Sequence, residues 1–395
     1  MFTRKSSVAI LGAGHGGLAL AAYLSQRGHR VALWNRSLER IAPVRAQGGI
    51  RLAMPGAKEV LAPIAMATCS MGAALSNASV VLVAVPASGH VDVAEKCAPH
   101  LRNGQTVLLL PGRTGGALEF RRVLEEHGCR AQILLGEANT FPFAARCVGP
   151  ASAVIFGTKA EVLAAALPST RTDELIDECR PLLPMLAPAS SVLQTGLGNL
   201  GAILHPTITL LNAERIEGGE SFDFYRDGVT TRVANVLAAA DEERLSIAEQ
   251  YEVPACSLQD WIFEAYGHRA DTVKEAVGGN PAYVGIKAPN TLDHRYLLED
   301  VPTGLIPLIE LGEAAGLALP TLSGLVDRCR IMLGGEPWQH QRTLDELGLD
   351  GMSTDDIRTV VEGEVPAVQR RSILPNWGFS GIHAGRGREL VQQIG

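Results

Sequence analysis

A run of closely spaced glycines near the start of the chain has the residue types and spacing that hold a pyrophosphate. It follows a short apolar stretch and precedes a helical pattern. The glycines permit a tight turn, close approach of the backbone to the phosphates and close helix packing, while the helix N-terminus presents amide donors to the anion. This context predicts a dinucleotide-binding βαβ unit. We expect the cofactor to contact the residues of this turn, which are Gly12, Gly14, His15, Gly16 and Gly17.

The residues after the second predicted strand indicate which dinucleotide is preferred. An NAD site normally has Asp or Glu there to bind the ribose hydroxyls, whereas this chain has Asn35, Arg36 and Ser37. A carboxylate would repel a 2′-phosphate, but the planar guanidinium of Arg36 can pair with one. The sequence therefore favours NADP(H) over NAD(H) as the cofactor. The structural alternative for Arg36 is a solvated loop charge.

Two further loops follow predicted strands of the same unit. Val85 is the last residue of the predicted strand 80–85, and Pro86 follows it. Both lie where the loop beside the nicotinamide is expected. We therefore expect both to contact the cofactor. The segment 111–116, Pro-Gly-Arg-Thr-Gly-Gly, follows the next strand in a similar position.

Side chains able to handle protons and carboxylates occur in two later segments. His205 lies in an apolar helical stretch that also carries Asn199 and Asn212, and the second segment runs from Arg295 to Asp300. An imidazole exchanges protons near neutral pH, and an arginine can bind a carboxylate through two hydrogen bonds. The patterns alone leave structural interpretations open. A lone His on an apolar helix is more often a core residue, and an Asp before a Pro-started helix is commonly an N-cap.

The chain resembles the opine dehydrogenase family, which includes octopine, nopaline and N-(1-carboxyethyl)norvaline dehydrogenases. The resemblance extends from the glycine turn to about residue 330. Its specific parts are His205-Pro206 followed by Leu211-Asn212-Ala213, then Phe224-Tyr225-Arg226-Asp227-Gly228, and Arg295 followed by Asp300-Val301-Pro302. These enzymes join the amino group of an amino acid to a 2-oxo acid and reduce the imine with NADH or NADPH. The resemblance implies that reaction, and those small-molecule substrates, for this chain.

The resemblance also implies roles for individual residues. It makes His205 and Asp300 a catalytic dyad and Arg295 the anchor of a substrate carboxylate. Independently of the resemblance, Asn199 and Asn212 lie on the same predicted helix as His205 and are candidate substrate contacts, with structural amides as the equal alternative. A carboxylate bonded to one imidazole nitrogen would fix the tautomer and favour the imidazolium. The central expectation is that the two dyad side chains touch and face the nicotinamide across a cleft between domains.

The secondary structure that would position these residues is predicted to differ between the two parts of the chain. Up to about residue 186, short β-branched runs (7–11, 30–34, 80–85, 106–110, 132–135 and 153–156) alternate with helical patterns. This alternation predicts an α/β Rossmann domain with a parallel-dominated sheet. Residues 187–395 are predicted to form a mostly α-helical second domain that contributes to catalysis and dimerisation, with helical patterns over 196–216, 228–251, 258–266 and 302–315. Weak periodicity in 334–395 indicates an appendage or a tail.

The composition excludes several other classes of protein. At 395 residues the chain is long enough for two domains, and a net charge of −7 argues against a nucleic-acid partner. No apolar run approaches the roughly 20 residues that span a membrane. Seven scattered cysteines are typical of a reduced, cytoplasmic protein. The ten histidines show no metal-binding spacing. We expect a homodimer because helical second domains often pair subunits in the family that the chain resembles.

Two other functions remain open from the sequence. The first is a simpler dehydrogenase on the same scaffold, which reduces a 2-oxo acid or acts on a polyol phosphate and needs no amine. The second is a non-catalytic NADP(H) sensor. The sensor would keep the glycine turn, but it would not need His205, Arg295 and Asp300 together.

Overall fold

The computed structural model describes residues 6–363, which form two sheets and a helical domain. The strands are β1 (Ser7–Leu11), β2 (Arg30–Trp34), β3 (Gly49–Ala53), β4 (Val60–Pro63), β5 (Met66–Thr68), β6 (Val80–Val83), β7 (Thr106–Leu109), β8 (Leu134–Ala138), β9 (Phe143–Gly149), β10 (Ser152–Thr158), β11 (Val162–Leu167) and β12 (Leu186–Pro188).

Eight of these strands form one twisted sheet in the order β12-β11-β8-β7-β6-β1-β2-β5. All neighbours are parallel except β11 and β8, which are antiparallel. The central strands are apolar runs buried on both faces, as parallel sheets covered by helices require. The prediction of a Rossmann domain with a parallel-dominated sheet is confirmed.

A second sheet of four strands, in the order β4-β3-β10-β9, was not predicted. The run 153–156 was expected in the parallel sheet, but it belongs to β10 of this second sheet, which packs against the first helix. Burial along β9 alternates along the strand, so its residues do not form the continuous apolar run that marks a central strand. The sequence pattern therefore did not reveal the second sheet.

The helices of the described residues lie between these strands and throughout the second domain. They are α1 (His15–Gln26), α2 (Leu38–Gln47), α3 (Met71–Leu75), α4 (His90–Cys97), α5 (Gly116–Glu126), α6 (Thr172–Cys179), α7 (Val192–Leu197), α8 (Gly201–Leu211), α9 (Ala213–Glu217), α10 (Thr231–Gln250), α11 (Leu258–Tyr266), α12 (Val273–Gly278), α13 (Arg295–Leu298), α14 (Ile306–Ala314), α15 (Pro320–Met332) and α16 (Thr354–Glu362). None of them is long and apolar enough to cross a membrane.

The helical second domain is confirmed, but two of the helices predicted in it are interrupted. The pattern over 196–216 divides into α7, α8 and α9, with breaks at Gly198 and Asn212. The predicted helix over 302–315 begins as a π-helical turn, Val301–Leu305, before α14. Such wide turns are frequent at functional sites, and this one directly follows Asp300.

The prediction of an appendage or tail over 334–395 is wrong for the part that the structure describes. Trp338, Leu347 and Leu349 are buried in the hydrophobic core, and the indole of Trp338 donates to the Leu297 carbonyl at 2.9 Å. Because these apolar residues lie in loops rather than at a regular spacing, the pattern could not reveal their burial. The rest of that prediction, 364–395, lies outside the described residues.

Candidate active site

The glycine turn between β1 and α1 has the close approaches that a dinucleotide site needs. A Cβ on Gly17 would lie 1.8 Å from the Gly12 carbonyl oxygen, and one on Gly12, whose φ is +115°, would lie 2.7 Å from the Ala84 oxygen. A Cβ on Gly14, by contrast, would have no atom within 4 Å. The turn is therefore closed towards the protein and open at the N-terminus of α1, where a pyrophosphate would bind.

Neighbouring segments hold this turn in place. The Asn35 side chain accepts a hydrogen bond from the Ala13 amide at 3.0 Å, so it shapes the turn from the end of β2. His15 accepts from the Cys147 amide at 2.8 Å and thereby ties the turn to β9. A Cβ on Gly16 would lie 2.7 Å from the Phe141 ring. These contacts give Asn35, His15 and Gly16 structural duties beside the predicted cofactor role.

The predicted residues at the edge of the cofactor site differ in exposure. The Arg36 side chain is 75% exposed and its nearest ionic partner, Asp92, is 3.9 Å away, so its guanidinium is available to a ligand. Ser37 precedes α2 as its N-cap but makes no side-chain cap bond. Val85 packs beneath Gly12, and Pro86 precedes a short turn whose Ala87 amide donates to Glu299 of the second domain at 3.3 Å.

His205 and Asp300 touch, as the sequence analysis expected. Nδ1 of His205, on α8, lies 2.8 Å from Oδ2 of Asp300, at the start of the π-helical turn. The carboxylate side chain is fully buried, while the imidazole remains 18% exposed. Asp300 makes no helix-cap bond with its side chain, so the N-cap alternative is wrong for its carboxylate.

Arg113 is the second partner of the buried carboxylate. Its Nη2 lies 3.3 Å from Oδ1 of Asp300, and its Nη1 donates to Asn199 at 3.1 Å. Burial alone would raise the pKa of the Asp300 carboxyl, but the charge of Arg113, followed by the contact with His205, outweighs burial and leaves the pKa below its ordinary value. The carboxylate therefore stays ionised beside the imidazole.

A group of tyrosines surrounds the other side of the imidazole. Nε2 of His205 is 3.1 Å from the Tyr225 hydroxyl, and the Tyr296 ring stacks on the imidazole with centroids 4.3 Å apart. Tyr225 also stacks on Tyr283 at 4.3 Å. Burial raises the pKa of Tyr225 well above its ordinary value, so the phenol remains protonated. These rings shield the imidazole from water on that side.

Arg295, the predicted carboxylate anchor, begins α13 and lies near the dyad. Its Nε and Nη2 bind both oxygens of the buried Glu299 at 2.9 and 3.0 Å. Its side chain is still 52% exposed. A substrate carboxylate would therefore have to share Arg295 with Glu299.

The two predicted amide contacts have different surroundings. Asn199 is buried beside Arg113 and Thr114, at the interface between the domains. Asn212 donates to the Ile208 and Gly228 carbonyls, both at 2.9 Å, and accepts from Arg215. Because its amide is used by the protein itself, we correct the prediction for Asn212 to a structural role.

Sequence reasoning assigned no role to two residues that the structure brings to the dyad. Arg113 stands in the segment 111–116, which was singled out only for its position after a strand. Tyr225 belongs to one of the segments that carry the family resemblance. Their types indicate what the site can do, which is to move protons and bind anions. Within residues 6–363, no three His, Cys, Asp or Glu side chains are grouped to hold a metal ion.

Comparison with known proteins shows the family to which the chain is related. A profile for the α-helical domain of NAD/NADP octopine/nopaline dehydrogenases matches residues 188–333, and one for the N-terminus of NAD-dependent glycerol-3-phosphate dehydrogenase matches residues 7–116. An opine dehydrogenase from Arthrobacter sp. (strain 1C) is 37% identical over 358 residues, which cover 91% of this chain and 99% of the relative.

Solved structures share the fold over a similar length. An octopine dehydrogenase with NADH and L-arginine superposes with a TM-score of 0.77 at 23% identity, covering 90% of this chain and 98% of that one. A yersinopine dehydrogenase with NADP⁺ bound superposes with a TM-score of 0.68 at 20% identity, covering 91% and 98%. The two-domain arrangement is therefore common to all three chains.

The electrostatic role of Arg113 leads to a testable prediction. Replacing Arg113 by Gln leaves burial of Asp300 uncompensated on one side, so the pKa of Asp300 should rise. A carboxyl with a lowered pKa stabilises the fold above its unfolded pKa, and this contribution is lost as the pH falls through the folded value. The loss in the free energy of unfolding caused by Arg113→Gln should therefore be largest near neutral pH and smaller at pH 4. Each unit by which the pKa of Asp300 rises in the folded protein corresponds to about 1.4 kcal/mol of this loss.

Urea unfolding between pH 4 and pH 7 measures this dependence. The matched control is Arg113→Gln in an Asp300→Asn background, where the cost should no longer depend on pH. A cost that is equally pH-dependent in both backgrounds would contradict the assignment to Asp300.

Proposed function

The chain belongs to the opine dehydrogenase family, whose reaction is the NAD(P)H-dependent reductive condensation of an amine with an oxo acid. On that premise we propose that His205 transfers the protons of this reaction and that the ionised Asp300 holds its imidazole in the required tautomer. It is an NAD(P)-dependent oxidoreductase that acts on CH–NH groups. The substrates we propose are an amino acid and a 2-oxo acid. The observation that carries the proposal is the 2.8 Å contact between the imidazole and a fully buried, ionised carboxylate.

Imine formation needs a group that takes a proton from the amine and returns it to the departing hydroxyl. With Asp300 ionised, Nδ1–H of His205 donates to the carboxylate, which leaves the lone pair of Nε2 for the substrate. When Nε2 takes up a proton, the imidazolium gains a charge-assisted bond to Asp300. The dyad therefore supports both charge states that the proton transfers require.

Tyr225 marks the position from which Nε2 exchanges its proton. Its hydroxyl can donate to Nε2 of the neutral imidazole and accept from Nε2–H of the imidazolium. The substrate amine would replace this hydroxyl or exchange its proton through it. Either arrangement places the reacting nitrogen beside Tyr225 and the ring of Tyr296.

Two guanidiniums are available for substrate carboxylates. Nε of Arg113 is buried at the dyad and makes no hydrogen bond to the described residues, so an anionic group could satisfy it. Arg295, at the more exposed side, is the proposed anchor for a second carboxylate. Asn199 steadies Arg113 through the 3.1 Å bond, and we propose that it contributes to the same subsite.

The residues of the glycine turn fit the pyrophosphate of a dinucleotide, and the bound cofactor supplies the hydride that reduces the imine. We propose that the turn residues Gly12, Gly14, His15, Gly16 and Gly17 hold the phosphates while Val85 and Pro86 border the nicotinamide. Asn35, Arg36 and Ser37 would hold the adenosine ribose. Absence of an acidic residue at 35–37 and the exposed Arg36 support a preference for NADP(H) over NAD(H).

We also propose a cytoplasmic location and a homodimeric state for the enzyme. The cysteines of the described residues are all free, and Cys97, Cys179 and Cys329 are buried, which supports a reducing, cytoplasmic environment. A homodimer is supported only by the family resemblance of the helical domain.

A screen of substrate pairs tests the proposed function. Oxidation of NADPH should require both an amino acid and a 2-oxo acid, since the imine forms from the two together. Crossing the common amino acids with pyruvate, oxaloacetate and 2-oxoglutarate, and recording absorbance at 340 nm, measures this requirement. Oxidation with a 2-oxo acid or polyol phosphate alone would instead identify the simpler dehydrogenase. Tight cofactor binding without turnover on any pair would identify a sensor.

Replacing His205 tests the role of the dyad. His205→Asn should lower kcat by roughly 10²–10⁴, the usual contribution of general acid–base catalysis, because Nε2 is lost. Fluorescence titration should show unchanged NADPH binding. His294→Asn is the matched control, since it lies in the same segment as Asp300 and Asn can keep the N-cap bond to Tyr296. Near-normal turnover by His205→Asn would remove this residue from the mechanism.

The cofactor preference can be tested at Arg36. Arg36→Ala should raise the KM for NADPH by about tenfold and leave the KM for NADH nearly unchanged, because only the 2′-phosphate pairs with the guanidinium. Steady-state kinetics with both cofactors measure the ratio. Arg30→Ala, an exposed arginine at the other end of β2, serves as the control. Equal effects on both cofactors would contradict a phosphate contact.

A further inference from the structure

A buried arginine, Arg342, lies behind the loop that carries Arg113. Arg342 is fully buried, and it belongs to a segment, residues 336–349, that neither family profile covers. We refer to residues 336–349 as the C-terminal strap. The residues that take part in the proposed reaction all lie outside this segment.

Arg342 binds the backbone on both sides of Arg113. Its Nη1 donates to the Gly112 carbonyl at 2.9 Å and to the Thr114 carbonyl at 3.1 Å. Its Nη2 donates to Glu119 at 2.8 Å and to Nδ1 of His90 at 2.9 Å. One planar guanidinium therefore fixes the loop from two carbonyls and anchors it to two further side chains.

The charge of Arg342 is compensated by the ionisable side chains that contact it. Burial would raise the pKa of Glu119, but Arg342 and a hydrogen bond from His340 lower it to about 2, so Glu119 is the counter-ion of Arg342. Burial and the charge of Arg342 lower the pKa of His90 to about 3, which keeps this imidazole neutral and able to accept. The guanidinium is thus paired once and hydrogen-bonded on both Nη atoms.

The strap also reaches the turn that carries Asp300. The Arg342 amide donates to the Pro302 carbonyl at 3.0 Å, and the Thr114 amide donates to the Thr303 carbonyl at 3.4 Å. Trp338 donates to the Leu297 carbonyl in α13. The strap therefore fixes the loop of Arg113 and the segment of Asp300 to each other, although they come from different domains.

The loop needs such support because Arg113 has a backbone φ of +64°. A non-glycine residue in this left-handed region is strained and persists only where the surrounding contacts enforce it. Bonds to the carbonyls on either side of Arg113 are contacts of that kind. They direct the side chain of Arg113 towards Asp300.

We propose that Arg342 is a positioning residue for the reaction, holding the loop 112–114 so that Arg113 meets Asp300 and the dyad keeps its ionised carboxylate. The proposal rests on the proposed function, since it deepens the account of the same site. It assigns a positioning role to Arg342 alone, and not to the other anchors of the C-terminal strap.

Arg342→Lys tests this role while retaining a charge opposite Glu119. A lysine cannot bond both carbonyls, Glu119 and His90 through one planar group. We expect kcat to fall by about tenfold or more, equivalent to about 1.4 kcal/mol, with an unchanged KM for NADPH. Combined with Arg113→Gln, it should cause no further loss, because both changes remove the same contact with Asp300.

Arg122→Met is the matched control for the strap. It removes the 2.6 Å ion pair with Glu346, another anchor of residues 336–349, without touching the loop of Arg113, and it should keep the wild-type kcat. Wild-type kcat in Arg342→Lys, or losses that multiply in the double variant, would overturn the proposal. If the lysine variant does not fold, Glu119→Gln removes the counter-ion more gently and should show the same coupling to Arg113.

A second readout separates this proposal from the proposed function. The unfolding free energy lost in Arg342→Lys should be larger with Asp300 present than in an Asp300→Asn background at pH 7. An equal loss in both backgrounds would overturn the positioning role. A wild-type protein that is inactive on every amine and oxo-acid pair would overturn the proposed function alone.

Discussion

The ionised carboxylate of Asp300 is the constraint on which the site depends. A buried charge is costly unless it is paired and hydrogen-bonded. Here Arg113 lies on one side of the carboxylate and His205 on the other. Without Arg113, burial would push Asp300 towards its neutral form, and the imidazole would lose the partner that fixes its tautomer. The proposed acid–base chemistry therefore depends on a guanidinium that itself need not touch the reacting nitrogen.

These three side chains meet only because the two domains dock. Arg113 comes from a loop after β7 of the Rossmann domain, His205 from α8 and Asp300 from the turn before α14. The Ala87 amide, beside the expected nicotinamide position, also binds Glu299 of the second domain. The proposed cofactor site and the proposed proton-transfer site thus share one interface. A small change in domain packing would alter both together, since the contacts cross from one domain to the other.

The C-terminal strap adds a third support to this interface. Its sequence shows no periodic pattern because Trp338 and Arg342 each donate to particular backbone carbonyls and do not form one face of a helix. A segment of this kind can be essential to a site while showing no motif. The profile of the helical domain ends at residue 333 and therefore does not include the C-terminal strap.

Features that depend on local chemistry could be predicted from the residues alone: β1 and β2, the glycine turn and the helical content of the second domain. Resemblance supplied the pairing of His205 with Asp300. The contacts of Arg113 and Tyr225 with these two side chains, the sharing of Arg295 with Glu299 and the hydrogen bonds that occupy Asn212 became apparent only in the folded chain. The reason is physical. Strands, turns and helices follow from residues a few positions apart, whereas the charge and hydrogen-bond partners of a buried group are set by chain segments that meet only after folding.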